Sequence, residues 1–253
     1  MTLALDHFPQ PDSPLSRLDP RWKLAAFALA ILSVALLHTL TATALAMAGA
    51  LLLVVLAGLS FRWYLYRLGG VGLFLVMLVA VLPFILHDGG PSLALGSLRI
   101  SWHGLRVAGF LSLKALALGT LVLVGLTTSP LSATLKAARS LYVPGLLVQL
   151  AMLSYRYIFV LGAELTRLRM GLRVRGYRNR ASRHSYRTIG HVAGTLLVRG
   201  NERAERVGQA MRCRGFDGQF RSLAEFRTTP ADCLFFVLLV GAAALLLLVE
   251  FLR

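Results

Sequence analysis

The sequence has little acid, little cysteine and almost no lysine. Aspartate and glutamate together number 11 against 27 lysines and arginines, and the lysines are only Lys23, Lys114 and Lys136. Charged residues make up 15% of the chain and hydrophobic ones 57%, against about 25% and about 45–50% in an ordinary soluble domain. The shortage of charge excludes a conventional soluble fold and intrinsic disorder alike. Two cysteines, Cys213 and Cys233, exclude a disulfide scaffold and lack metal-ligand spacing; both read as reduced thiols. No Gly-Lys dipeptide occurs, so there is no phosphate-binding loop. His-Glu-x-x-His, Gly-x-Ser-x-Gly and paired intramembrane carboxylates are missing too, which leaves no catalytic or proton-relay constellation. The reading is a non-enzyme without cofactor, so any ATP must be hydrolysed by another chain.

What is present is apolar length. Five blocks approach the roughly 20 residues that a helix needs to cross about 30 Å of hydrocarbon. They run from about Leu24 to Leu40, Thr43 to Ser60, Gly69 to Leu86, Leu105 to Leu126 and Cys233 to Val249. Only the fourth carries an ionised side chain in its core, Lys114, which is expected to snorkel or to face a cavity. The polar, proline-containing start from Met1 to Arg21 is not the pattern of a cleaved signal peptide.

Loop charge sets the orientation. Phe61 to Arg67 carries two arginines and interfacial aromatics, and reads as a cytoplasmic loop between the second and third spans. The turn near Thr41 is uncharged, and the loop from His87 to His103 has one arginine and one aspartate. The N-terminus is therefore expected inside, with 87–103 and the C-terminus outside. The outer loop alternates around Gly96-Ser97, the pattern of a short hairpin. His87 and His103 flank it; a shared metal is one reading and solvation the commoner one.

The stretch from Leu131 to Pro230 differs in kind. It holds 18 of the 27 basic residues against five acids, yet apolar residues recur in it at helical spacing. Pro144-Gly145 marks a helix start, and Leu146, Leu150, Leu153, Tyr157, Leu161, Leu165, Leu168 and Leu172 carry a stripe toward Arg175-Gly176. A second helix is expected from near Gly190 through Leu197, Ala204, Val207 and Met211 to Arg214-Gly215, with Glu202 and Arg206 spaced for an ion pair. Both end alike, in Val174-Arg175-Gly176-Tyr177 and Cys213-Arg214-Gly215-Phe216. An arginine at the negative end of the helix dipole and a glycine at the left-handed C′ position terminate a helix well. One such end is only a good stop. Two matched ends on one basic segment also make a paired docking surface, each offering a guanidinium fork to an acidic groove.

The expected architecture is thus an all-α membrane protein of about five transmembrane helices plus a cytoplasmic domain of long amphipathic helices. Its parts are a four-span region over 1–130, coupling helices over 131–230 and a last transmembrane helix over 231–253.

Particular segments resemble a known family. Leu153-Ser154-Tyr155-Arg156-Tyr157-Ile158-Phe159-Val160-Leu161 is similar to its L-x-Y-R-Y-x-F-V-L segment, and the run from Gly194 to Gly218 is similar to its signature. Leu18-Asp19-Pro20-Arg21-Trp22-Lys23-Leu24 and Leu141-Tyr142-Val143-Pro144 match as well. The family is CbiQ/EcfT, the transmembrane T subunits of energy-coupling factor transporters. The resemblance implies a bacterial inner-membrane protein partnered by two ABC-type ATPase subunits and a metal-binding membrane substrate subunit. It also implies cobalt as cargo, with nickel, biotin or a shared vitamin as alternatives. In the family each coupling helix ends in an Ala-Arg-Gly-like motif whose arginine enters an ATPase groove. By resemblance that role falls to Arg175 and Arg214, with Val174 and Cys213 in place of the alanines and Gly176 and Gly215 retained. A reading from a different class is a membrane-anchored basic protein binding nucleic acid or anionic lipid. Nucleic acid is disfavoured because leucine stripes, not interleaved aromatics, accompany the arginines.

Overall fold

The computed structural model describes residues 13–85, 92–95, 98–216 and 228–252. Eight helices run in chain order: α1 Pro20–Leu36, α2 Leu40–Leu56, α3 Phe61–Ile85, α4 Trp102–Thr127, α5 Leu131–Ser140, α6 Gly145–Val174, α7 Arg183–Cys213 and α8 Pro230–Phe251. Between α3 and α4, β1 Ser92–Leu95 pairs antiparallel with β2 Leu98–Ser101, Ser92 opposite Ser101 and Leu95 opposite Leu98. This is the expected hairpin; its Gly96-Ser97 turn and His87 lie outside the described residues. The protein is thus an α-helical membrane protein. The chain divides into two compact units, one holding α1–α5 and α8, the other α6 and α7.

The membrane unit is built on small side chains. Ala26, Ala30, Ala46, Ala50, Ala57, Ala108 and Ala117 are buried, which lets helix backbones approach closely where lipid supplies no hydrophobic drive. Phe27, Val34, Leu53, Leu121 and Val124 fill the remaining core. α4 packs against α1, α2 and α3, and α1 also packs against α8 and α5. Buried hydroxyls are satisfied within their own helices. Thr43, Thr120, Thr127 and Thr128 each donate to the carbonyl four residues back at 2.7–2.8 Å, as an apolar medium demands. Tyr64 reaches from α3 to the Thr120 hydroxyl at 2.9 Å.

One expectation is corrected. Phe61–Arg67 is not a loop but the first two turns of α3; no proline or glycine interrupts it before Gly69. The Lys114 ammonium donates to the Leu37 carbonyl at 2.8 Å, in the turn between α1 and α2, with the Phe110 ring beside it. α5 packs on α1 within the membrane unit, which runs to Leu141 before resuming at Phe226. Moreover, among the described residues four helices are long and apolar enough to cross a membrane, namely α3, α4, α6 and α8, while α2 is apolar but has 17 residues. α6 thus joins the candidates, because its first half is leucine-rich and its arginines cluster late.

Two polar clasps tie the membrane unit's ends. Asp232, nearly fully buried, closes a capping box on Thr229 at the start of α8 and also accepts the backbone N–H of Asp19 at 2.8 Å. Asp19 in turn caps α1 by accepting from the Arg21 N–H at 3.0 Å. Lys23, also buried, donates to the carbonyls of Leu15 at 2.8 Å and Thr128 at 2.9 Å. One group of side chains thus satisfies the starts of two helices and the end of a third. At the opposite end of α8, Glu250 accepts the backbone N–H groups of His38 and Thr39, the latter at 2.7 Å, and so caps α2, which lacks a cap of its own.

Candidate functional site

The second unit is a pair of long helices. α6 has 30 residues and α7 has 31, so each extends roughly 45 Å at 1.5 Å per residue. α7 begins seven residues before the expected Gly190, at Arg183, because Ser182 serves as its N-cap, accepting the Ser185 N–H at 3.3 Å. The connecting turn is knit further by the Tyr177 hydroxyl on the Ser185 carbonyl at 3.5 Å and the Arg180 N–H on the Ser185 hydroxyl at 3.3 Å.

The helices run antiparallel. Leu165 and Leu172 of α6 share a groove with Ile189 and Val192 of α7, and Val160, Leu161 and Glu164 share another with Arg199, Glu202 and Arg206. Glu164 pairs with Arg199 across the two helices and with Arg167 along its own. Near that bridge the Leu161 side chain lies beside Gly200 of α7. The expected Glu202–Arg206 pair is present at 3.9 Å. The Glu164–Arg199 bridge was not anticipated, since its partners stand 35 residues apart and no local spacing signals them.

Both C-termini form the same closed structure. In α6, the Gly176 N–H donates to the Arg173 carbonyl at 3.0 Å and the Tyr177 N–H to Leu172 at 3.0 Å. In α7, the Gly215 N–H donates to Arg212 at 3.0 Å and the Phe216 N–H to Met211 at 3.1 Å. These are the two crossed bonds of a Schellman end. Gly176 and Gly215 have φ of 74° and 75°, the left-handed conformation that glycine adopts without a Cβ penalty. Arg175 and Arg214 are the residues just before those glycines, with near-identical backbones of φ −80°, ψ 13° and φ −91°, ψ 10°.

The matched ends do not converge. Arg175 lies 11 residues past Glu164, and Arg214 lies 15 past Arg199; with the helices antiparallel, they stand about 16 Å and about 22 Å to opposite sides of the bridge. Val174, Arg175, Gly176, Cys213, Arg214 and Gly215 are all exposed, Val174 at 85%. Neither guanidinium is paired among the described residues. Such an end offers a fork of donors on a rigid support, free to meet a carboxylate. Among the described residues, no cluster of three His, Cys, Asp or Glu is placed to hold a metal ion.

The leucine stripe is split. Leu153, Leu165, Leu168 and Leu172 are half-buried, while Leu146 at 66% and Leu150 at 53% stay exposed, as does Leu197 of α7 at 75%. The helices therefore cover only part of their apolar faces with each other, and the remainder faces outward with Met170.

Comparison with known proteins identifies a family. A family model described as CbiQ, cobalt transport protein, matches residues 11–225. The cobalt transport protein CbiQ of Rhodobacter capsulatus is 33% identical over 106 residues, 42% of this chain and 41% of its own. The energy-coupling factor transporter transmembrane protein EcfT of Heliobacterium modesticaldum is 31% identical over 133 residues, 52% of this chain and 50% of its own. An uncharacterized protein of Methanocaldococcus jannaschii is 31% identical over 111 residues, 44% of this chain and 41% of its own. The chain thus spans half or less of the length of these curated relatives.

Proposed function

The chain belongs to the CbiQ family, and on that premise we propose that it is the transmembrane coupling subunit of an ATP-driven importer. In this reading two ATPase subunits bind the α6–α7 pair, one at Arg175 and one at Arg214. A separate membrane subunit captures the cargo, which we take to be cobalt. The observation that carries the reading is the duplication of one helix end. Two Schellman-closed termini, each with an exposed unpaired arginine, stand at opposite ends of an antiparallel pair, as two copies of one partner require.

The mechanism follows from stiffness and attachment. Two long helices joined at a short turn and by the Glu164–Arg199 bridge move as levers when their ends are gripped. ATP binding draws the two ATPase subunits together, and the ends carrying Arg175 and Arg214 follow. The exposed leucines and Met170 then shift against the substrate-binding subunit and bias its orientation. The chain supplies no catalytic group; its role is to convert closure into displacement. In this reading α6 and α7 and the N-terminus are cytoplasmic, the C-terminus is outside, and the spans sit in the bacterial inner membrane.

The test is the double charge reversal Arg175→Glu with Arg214→Glu. ATPase subunits should no longer co-purify with the chain, and cobalt uptake by the assembled system should fall at least about tenfold, because loss of a charged anchor typically costs 2 kcal/mol or more. Membrane insertion should be unchanged. Normal uptake by that variant would refute the reading. Uptake of nickel in place of cobalt would leave the coupling role standing and replace the cargo.

A further inference from the structure

We propose that the groove between α6 and α7 beside their connecting turn is a binding site for an anionic phospholipid. The groove has a volume of about 470 Å³, within the range of sites that hold small ligands. Its lining is apolar at Leu165, Leu172, Ile189 and Val192 and polar at Arg169, Arg173, Tyr177 and Asn179. The two arginines are four residues apart, so they project from one face of α6.

Charge is unbalanced at this groove. The described acids of the unit are Glu164, Glu202 and Glu205. Glu164 is held by Arg167 and Arg199, Glu202 faces Arg206, and Glu205 accepts from Asn201 at 2.9 Å. Arg169 and Arg173 are exposed, and neither is paired among the described residues.

The chemistry of the walls selects the occupant. A guanidinium only donates, and its fork matches the oxygens of a phosphate, which only accept. A bound peptide would bring backbone N–H and C=O groups that each need a partner; the four aliphatic side chains provide none, and Tyr177 and Asn179 alone are too few for a run of peptide. Acyl methylenes need none. Position along α6 agrees. The helix starts with exposed Leu146, Leu147 and Leu150 and turns basic from Arg167 onward. Such a helix brings its basic half to headgroup level when its apolar half meets the bilayer.

Arg169 and Arg173 are distinct from the arginines assigned to the ATPase subunits, so the two readings fail separately. The experiment uses the full chain, purified in mild detergent and exchanged into nanodiscs of mixed phosphatidylglycerol and phosphatidylcholine. Native mass spectrometry then counts the lipids that stay bound. The expected result is enrichment of phosphatidylglycerol by about tenfold, as two arginines near an anionic headgroup imply. Arg169→Gln with Arg173→Gln should abolish that preference, whereas Arg175→Glu with Arg214→Glu should keep it. Excess inorganic phosphate should leave the lipid in place, since it offers the apolar lining nothing. Four results would each overturn the proposal: equal retention of both lipids, enrichment that survives loss of Arg169 and Arg173, displacement by phosphate alone, and loss of ATPase capture by the Arg169/Arg173 variant with lipid binding unchanged. The last would assign the groove to a protein partner instead.

Discussion

The two units of this chain use helices of the same kind for opposite ends. In the membrane unit, buried alanines bring helices close, and carboxylates that cap one helix also satisfy another. In the α6–α7 unit the helices are longer, only Val148 and Ser185 are buried along them, and the polar groups stand exposed. Polar side chains in lipid must be partnered internally, so the membrane unit spends its charges on its own architecture. The arginines of α6 and α7 are left over for something else. A frame and a pair of levers differ in this way: one turns charges inward to its own backbone and the other leaves most of its arginines exposed.

That contrast can be broken from either side. The largest effect is expected from Asp232→Ala. It strips an acceptor from the Asp19 N–H and from the backbone and hydroxyl of Thr229, and should lower stability by about 3 kcal/mol. In detergent, thermal unfolding followed by circular dichroism should shift down by several degrees, and α8 should become accessible to protease at its start. Docking of ATPase subunits by the chain that remains folded should persist; its loss would mean that the two units are not independent.

A smaller effect is expected from Glu250→Ala, which removes the cap from α2 and should cost about 1 kcal/mol. Hydrogen exchange at Leu40 to Ala42 should accelerate while α6 and α7 stay protected as before. Gly176→Ala and Gly215→Ala act on the other unit. Each forces a Cβ onto a left-handed backbone for about 1 kcal/mol, and should fray one terminus without lowering the melting temperature of the membrane unit. ATPase capture should weaken in both, and equally, if the two ends do the same work. The smallest effect is expected from Glu164→Gln, which weakens a partly exposed bridge by roughly 0.5 kcal/mol. It should show as faster exchange along α7 near Arg199 and a modest drop in coupling efficiency.

How much of this was legible in the sequence divides along the same line. The ends of α6 and α7 could be read because a helix stop is a local event: Arg-Gly-aromatic carries its own instruction within four residues. The hairpin of 92–101 and the start at Pro144-Gly145 were legible for the same reason. Local composition also misled. Phe61–Arg67 has the arginines and aromatics of an interfacial loop, yet nothing in it breaks a helix, and α3 simply begins there. Lys114 signalled an exception in its span but not its partner, since the Leu37 carbonyl is a backbone group 77 residues away. Asp19 and Asp232 are 213 residues apart. Asp19 is the N-cap before Pro20 and Asp232 the N3 residue of the capping box that begins at Thr229, and no local pattern states that one carboxylate serves both helices.

That shared cap has a consequence for the order in which the protein is made. The N–H of Asp19 leaves the ribosome 213 residues ahead of the carboxylate that accepts it. By the end of that interval α6 and α7 have been translated, while α1 still lacks its packing partner α8. Arrival of α8 is therefore the event that closes the bundle. A chain truncated before Pro230 should be recognised as unfinished by the cell's membrane proteases, although its basic helices are complete.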